Sequence, residues 1–224
     1  IALQQKGGTA HADEIEARLG PDYSLVADYL VAEVLQGMPT RDCEFLLSTS
    51  VVGEISPGLA NELTGRRDSQ RMLIDLSRRN TFVQPVPGSP GRYRTHSLFR
   101  EFLGAQLSLE APADVAELHR RAAGWYAASG RVAEAVDHAV SAGDWVSAAK
   151  LVVGRMVIGT LLVPTPTGTE MAQSLSRLPA DVNSAEVSVV RAALALARGD
   201  VDRAQQYLVS HEEHVDSAEP DLLL

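Results

Sequence analysis

Cysteine is almost missing from this sequence. One cysteine, Cys43, in 224 residues cannot close an internal disulfide, which excludes a secreted disulfide scaffold and favours a reducing, cytoplasmic setting. Long apolar runs are missing too. The greasiest stretch, Leu151 to Val163, is interrupted by Arg155 and is too short to span a bilayer, so no membrane partner is expected. No basic-then-apolar secretory leader opens the chain. There is no Gly-x-x-x-x-Gly-Lys-[Ser/Thr] phosphate loop, and Lys6-Gly7-Gly8-Thr9 puts its lysine before the glycines, the wrong order for cradling phosphates. There is no Gly-x-Ser-x-Gly elbow, since Gly88-Ser89-Pro90-Gly91 reads as a turn tip. His211-Glu212-Glu213-His214 sets its histidines one residue too close for the zinc-protease motif and reads as an exposed polar face. Adjacent carboxylates such as Asp13-Glu14 and Glu212-Glu213 point apart on a helix rather than converging on a substrate. The expectation is a chain with no catalytic residues, no metal and no cofactor of its own.

What is there is ordinary globular material, 45% apolar and 22% charged, in a length that suits one or two domains. The chain starts on Ile1 and stops on Leu222-Leu223-Leu224, and both ends read as cuts through a longer protein. Its formal net charge of −9 hides an asymmetry. From Arg66 to Arg100 eight arginines face two acids, Asp68 and Asp75, which leaves +6 there and −15 elsewhere. Such a cluster either meets a negative partner (DNA phosphate, a nucleotide, an acidic neighbouring domain) or is a solvated basic face.

The pattern along the chain is mainly α. Ile1 to Gly20 is polar and mixed. Asp22 to Met38 predicts a helix with Leu25, Val26, Tyr29, Leu30 and Val34 on one stripe, ended by Pro39. Phe45, Leu46 and Leu47 belong to a second helix. Ser56-Pro57 opens a third and Gly65 closes it. Asp68 is expected to cap a fourth, carrying Met72, Leu73 and Leu76. Thr81-Phe82-Val83 and Arg92-Tyr93-Arg94-Thr95 then predict a two-stranded hairpin around a tip of Pro85, Pro87, Gly88, Ser89, Pro90 and Gly91. Short helices followed by such a hairpin is the element order of a winged helix, with the arginines on its last helix and its wing. After it the chain is helical. Gly130 to Ala135, Gly143 to Ala148 and Gly199 to Ala204 each read Gly-x-x-x-x-Ala, with glycine between two helices and alanine permitting close approach, which suggests an array of helical hairpins. Pro164, Pro166 and Gly168 break it once. Trp125, Tyr126 and Trp145 line either an inducer groove or the core between hairpins. His119 and His138 read as structural, and Cys43 as a small core residue.

Several blocks in this order resemble one family. They include Asp28-Tyr29-Leu30-Val31-Ala32-Glu33-Val34-Leu35, Phe45-Leu46-Leu47-Ser48-Thr49-Ser50, Asn80-Thr81-Phe82-Val83-Gln84-Pro85 and Tyr93-Arg94-Thr95-His96-Ser97-Leu98-Phe99. Further on come Leu118-His119-Arg120-Arg121-Ala122-Ala123-Gly124-Trp125-Tyr126, Ala135-Val136-Asp137-His138-Ala139-Val140-Ser141-Ala142-Gly143-Asp144 and Leu175-Ser176-Arg177-Leu178-Pro179. From about Asp22 onward the chain resembles the large ATP-binding LuxR-type transcription regulators, the signal-transduction ATPases that include the maltose regulon activator.

The resemblance implies three parts: residues 1–21 as the tail of a nucleotide-binding module, 22–110 as a regulatory winged helix, and 111–224 as the start of a tetratricopeptide-like sensor array. It implies ATP or ADP for the full-length protein. It implies as partners the protein's own nucleotide-binding module, a small inducer or regulatory protein on the array, and DNA through a C-terminal domain beyond this stretch, with self-association on activation. It makes His96 a candidate contact to the diphosphate of ADP, with Arg94 a weaker one, although Ser97 stands where the family often has a second histidine. A winged helix that itself binds DNA, and a sensor attached to a protein kinase, are the alternatives.

Overall fold

The structure, a computed structural model, describes residues 35, 37–79 and 82–216, of which 210–216 by backbone alone. The expected tail 1–21, nearly all of the helix expected over Asp22 to Met38, and the side chains of His211 and His214 lie outside the described residues. The chain forms two compact units, one ending at Ala122 and the other beginning at Ala123.

In the first unit α1 spans Thr40–Thr49 and buries Cys43, Phe45, Leu46 and Leu47. A short strand β1, Glu54–Ile55, leads into α2, Pro57–Thr64. The α2 helix begins as the sequence implies: the Ser56 hydroxyl accepts the Leu59 N–H, and Pro57 occupies the first turn. It ends on Gly65 at φ 69°, the left-handed stop that glycine reaches without Cβ strain. The next helix, α3, spans Ser69–Arg78. Asp68 stands at its N-cap but its side chain makes no capping bond, contrary to expectation. Arg41 and Arg66 hold that carboxylate instead, at 2.5 and 2.9 Å, because two charged donors outbid one backbone amide.

The wing consists of β2, Val83–Pro85, and β3, Tyr93–Thr95. The expected two-stranded hairpin is in fact a three-stranded antiparallel sheet in the order β1-β3-β2. Two residues of β1 show no alternation to read, so the fold around them and not their pattern makes them a strand. Of the expected first strand, Thr81 lies outside the described residues. Phe82 sits at φ 58°, outside the strand, with its ring 4.5 Å from that of Phe99. Glu54, Arg94 and Gln84 are paired across the three strands, so they share one face, while Ile55, Val83 and Thr95 are buried. Then α4, Ser97–Glu110, supplies Phe99, Phe102, Leu103 and Leu107 to a core shared with α1, α2 and α3. Helix α5, Pro112–Ala128, follows.

The second unit contains α6 (Val132–Ser141), α7 (Trp145–Gly154), α8 (Ile158–Leu162), α9 (Pro166–Leu175), α10 (Ala185–Ala197) and α11 (Val201–Asp216). It is an array of packed helices: α6 on α7 and α9, α7 on α10, α10 on α8 and α11. The Gly-x-x-x-x-Ala units are its joints. Gly130, Gly143 and Gly199 all take φ between 71° and 79°. The N–H of the residue after each glycine bonds a carbonyl five residues back, Arg131 to Tyr126, Asp144 to Ala139 and Asp200 to Ala195, all within 3.0 Å. This is the Schellman closure, and the alanines five residues beyond, Ala135, Ala148 and Ala204, are buried. A fourth joint escaped the sequence reading. Val157 bonds Val152 at 3.0 Å across Met156 at φ 54°, and five residues on stands buried Leu161. Neither glycine nor alanine marks it. Of Pro164, Pro166 and Gly168, expected to break the array, Pro164 lies between α8 and α9, while Pro166 and Gly168 fall in the first turn of α9, where the Thr165 hydroxyl accepts the Gly168 N–H at 3.1 Å. A Cβ on Gly168 would fall 2.2 Å from the Thr160 carbonyl oxygen, so no larger residue fits.

Candidate functional site

The sequence singles out the end of β3 and the basic cluster around it. Alternation along the strand sends Thr95 inward, where it is buried, and Arg94 outward. His96 follows in extended backbone, φ −53° and ψ 133°, as the N-cap residue of α4. Its backbone is pinned at both ends. Its N–H bonds the Phe82 carbonyl at 2.8 Å, and its carbonyl accepts the Arg100 N–H at 2.9 Å. Its side chain caps nothing, and the imidazole is exposed. Arg94 and His96 are therefore two exposed donors on one side of a fixed strand end, and neither has a hydrogen-bond or ion-pair partner among the described residues.

The arginine cluster divides in two. Four members serve the chain's own acids. Arg66 holds Asp68, Arg71 lies 3.9 Å from Asp75, Arg79 holds Asp42 at 2.8 Å, and Arg92 reaches Glu54 at 3.3 Å. Asp42 is the consequential one, because its side chain is only 9% exposed and a buried carboxylate needs its countercharge. The hydrogen bond from Arg66, with Arg41 adding attraction, holds the Asp68 carboxyl below the usual carboxylate range. Arg67, Arg78, Arg94 and Arg100 have no carboxylate partner among the described residues. The net +6 thus overstates the charge on offer to an outside partner.

Two cavities lie in the first unit. One of about 240 Å³ is lined by α1, the end of α2 and α5. Its arginines are engaged: Arg41 and Arg66 with Asp68, and Arg121 with Glu117 and the Leu63 carbonyl. The other, about 310 Å³, lies between the Ser50-Val51 turn, α4 and the start of α5, and is lined on α4 by Arg100, Glu101, Gly104, Leu107 and Ser108. In the sequence Arg100 stands out only as one charge of the basic cluster. Its position one turn after His96, on a stripe with Gly104, is the signal that was available.

The other residues of interest lie elsewhere. Tyr126 is buried, stacked on His138 at 5.2 Å with the Arg131 guanidinium 4.6 Å from its ring centre. Trp125 meets Tyr126 edge-on, and Trp145 packs against the array core. His119 lines the second cavity. Cys43 is buried, and burial pushes its thiol up to about 11, so it stays protonated and unreactive at neutral pH. Among the described residues no group of acids, histidines and cysteine could hold a metal ion, and no helix is long and apolar enough to cross a membrane.

Comparison with known proteins bears on the first unit most directly. Residues 31–115 match the family model of the MalT winged helix domain. The chain is 36% identical over 151 residues to the serine/threonine-protein kinase PknK of Mycobacterium tuberculosis (strain ATCC 25618 / H37Rv), covering 67% of this chain and 14% of that protein. It is 34% identical over 145 residues to the HTH-type transcriptional regulator MalT of Klebsiella pneumoniae (strain 342), and 35% identical to that of Yersinia pestis (strain Pestoides F), covering 64% of this chain and 16% of each regulator. The chain thus spans about a seventh of the curated relatives it matches. With the three-stranded sheet, the helix order and the matched stretch in agreement, residues 31–115 form a winged helix of the MalT type, and the chain is similar to MalT regulators and to PknK alike.

Proposed function

We propose that this chain is the regulatory and sensory segment of an ATP-dependent, LuxR-type transcription regulator of the cytoplasm. The observation that carries the reading is the strand end of a MalT-type winged helix, where His96 and Arg94 are held out with no partner among the described residues. Both are donors, and a diphosphate is an acceptor that such a pair suits. In this reading, nucleotide exchange in the upstream module supplies the switch. His96, with Arg94, donates to the diphosphate of ADP and keeps the winged helix closed on its own nucleotide-binding module. An inducer or regulatory protein on the tetratricopeptide-like array biases the same equilibrium toward release and self-association. DNA is read by a different, C-terminal domain. The segment itself catalyses nothing.

The test is the ADP affinity of the purified parent protein. His96→Ala is expected to weaken it by roughly tenfold, the scale of one charge-assisted hydrogen bond. An unchanged affinity removes His96 from the switch. The similarity to PknK supports a second output, in which the same segment senses for a protein kinase domain. A kinase domain in the parent sequence decides between the two. The alternative in which this winged helix binds DNA itself predicts duplex binding that falls steeply with salt. Four of its eight arginines are already committed to internal acids, which argues against it.

A further inference from the structure

We infer that the cavity between α4, α5 and the Ser50-Val51 turn is a binding site for a small phosphorylated molecule, with Arg100 as its anion receptor. Three observations carry this independently of the His96 reading. First, Arg100 is a half-buried arginine that lines the cavity and has no carboxylate partner among the described residues. A partly desolvated arginine without an acid is a binding group waiting for one, and its planar fork matches phosphate oxygens.

Second, Gly104 lies one turn further along the same helix, in the middle of α4, and lines the same cavity. Glycine weakens a helix interior relative to alanine. Here the fold does not require it, since Gly104 has no left-handed φ and an added Cβ would meet nothing within 4 Å. What the bare position does is keep the cavity open beside Arg100. Gly124 in α5 is equally free of close neighbours, so what sets Gly104 apart is its place in the cavity wall one turn from Arg100. Third, the remaining walls suit an organic phosphate. Leu107 is buried behind the cavity, Val51 and Val115 offer partly exposed apolar surface, and the Ser108 hydroxyl, which donates to the Gly104 carbonyl at 2.8 Å, adds a polar edge. The volume of about 310 Å³ exceeds what inorganic phosphate needs and falls at the lower end of small-molecule sites. Glu101, at the exposed edge of the same cavity, opposes an anion and sets a ceiling on affinity.

The experiment is a calorimetric titration of the full 224-residue chain, at fixed ionic strength, with inorganic phosphate and with glycerol 3-phosphate. Both are expected to saturate one site, glycerol 3-phosphate the more tightly. Arg100→Gln should weaken binding by roughly tenfold or more. Glu101→Gln should tighten it. Gly104→Ala should raise the melting temperature by about 4 °C while weakening binding, a combination that a damaged fold does not produce. Arg78→Gln, which removes an exposed charge on α3, should leave binding unchanged and so controls for general charge. The proposal is overturned if neither compound saturates, if Arg100→Gln leaves the affinity unchanged, or if Gly104→Ala stabilises the chain without affecting binding.

Discussion

The two units are built by different means. The winged helix is closed by large side chains: Phe45, Phe99, Phe102 and eight leucines are its largest fully buried residues, and an ion pair such as Arg79 with Asp42 ties its helices together. The array is closed by small ones. Its core includes Ala123, Ala139, Ala148, Ala149 and Ala193 with valines between them, and its helices are linked by backbone closures at left-handed residues. Both solutions bury apolar surface. They place the sensitivity to mutation differently, because a large-residue core fails through cavities and a small-residue core fails through overfilling.

The largest expected effects test that contrast directly. Phe102→Ala empties the centre of the winged helix and is expected to cost about 4 kcal/mol, seen as lost hydrogen-exchange protection over residues 40–110 with the array protected as before. Comparable loss over the array would break the division into two units. Gly168→Ala is the mirror experiment. The added methyl meets the Thr160 and Val163 carbonyl oxygens at 2.2 and 2.8 Å, so about 2–3 kcal/mol of overpacking should fall on the array alone, read in the same way.

Smaller effects sharpen the comparison. Met156→Gly relieves a left-handed methionine, 88% exposed and with no other evident task, so it should stabilise the array by up to about 1 kcal/mol in a denaturant titration. Destabilisation would mean that the methionine is held there by contacts. The smallest effect is electrostatic. The Asp68 carboxyl is depressed in the folded chain, so its contribution to stability is present above its unfolded value and is lost as pH falls through the folded one. Asp68→Asn should therefore lower the melting temperature slightly at pH 7 and progressively less as acid protonates the carboxyl, so that pH 7 and acid pH differ. Equal losses at both would mean that geometry, not charge, matters at that turn.

Much of this was legible in the chain before any coordinates. Ser56, Pro57 and Gly65 bracket α2 because capping chemistry is local, and the glycine joints are readable because positive φ selects glycine. What was not legible was non-local. β1 exists because β3 lies beside it, and at Asp68 the neighbouring Arg66 is joined by Arg41, far off in sequence, which no local pattern announces. Met156 repeats the geometry of Gly130 with none of its chemistry. At the candidate site, His96 and Arg94 came from resemblance to a family and their exposure came from the structure, whereas the freedom of Arg100 depended on which of the eight arginines found acids.

The joints have one more consequence. From each left-handed residue to the buried residue of the next helix the interval is five, at Gly130, Gly143, Met156 and Gly199 alike. Each helical residue turns the chain by about 100°, so one residue added or lost within that interval would swing the buried position off the contact face. The array is in this sense metered. It tolerates lengthening by whole units and rejects fractions, so insertions should survive in its loops and be purged between a joint and its anchor.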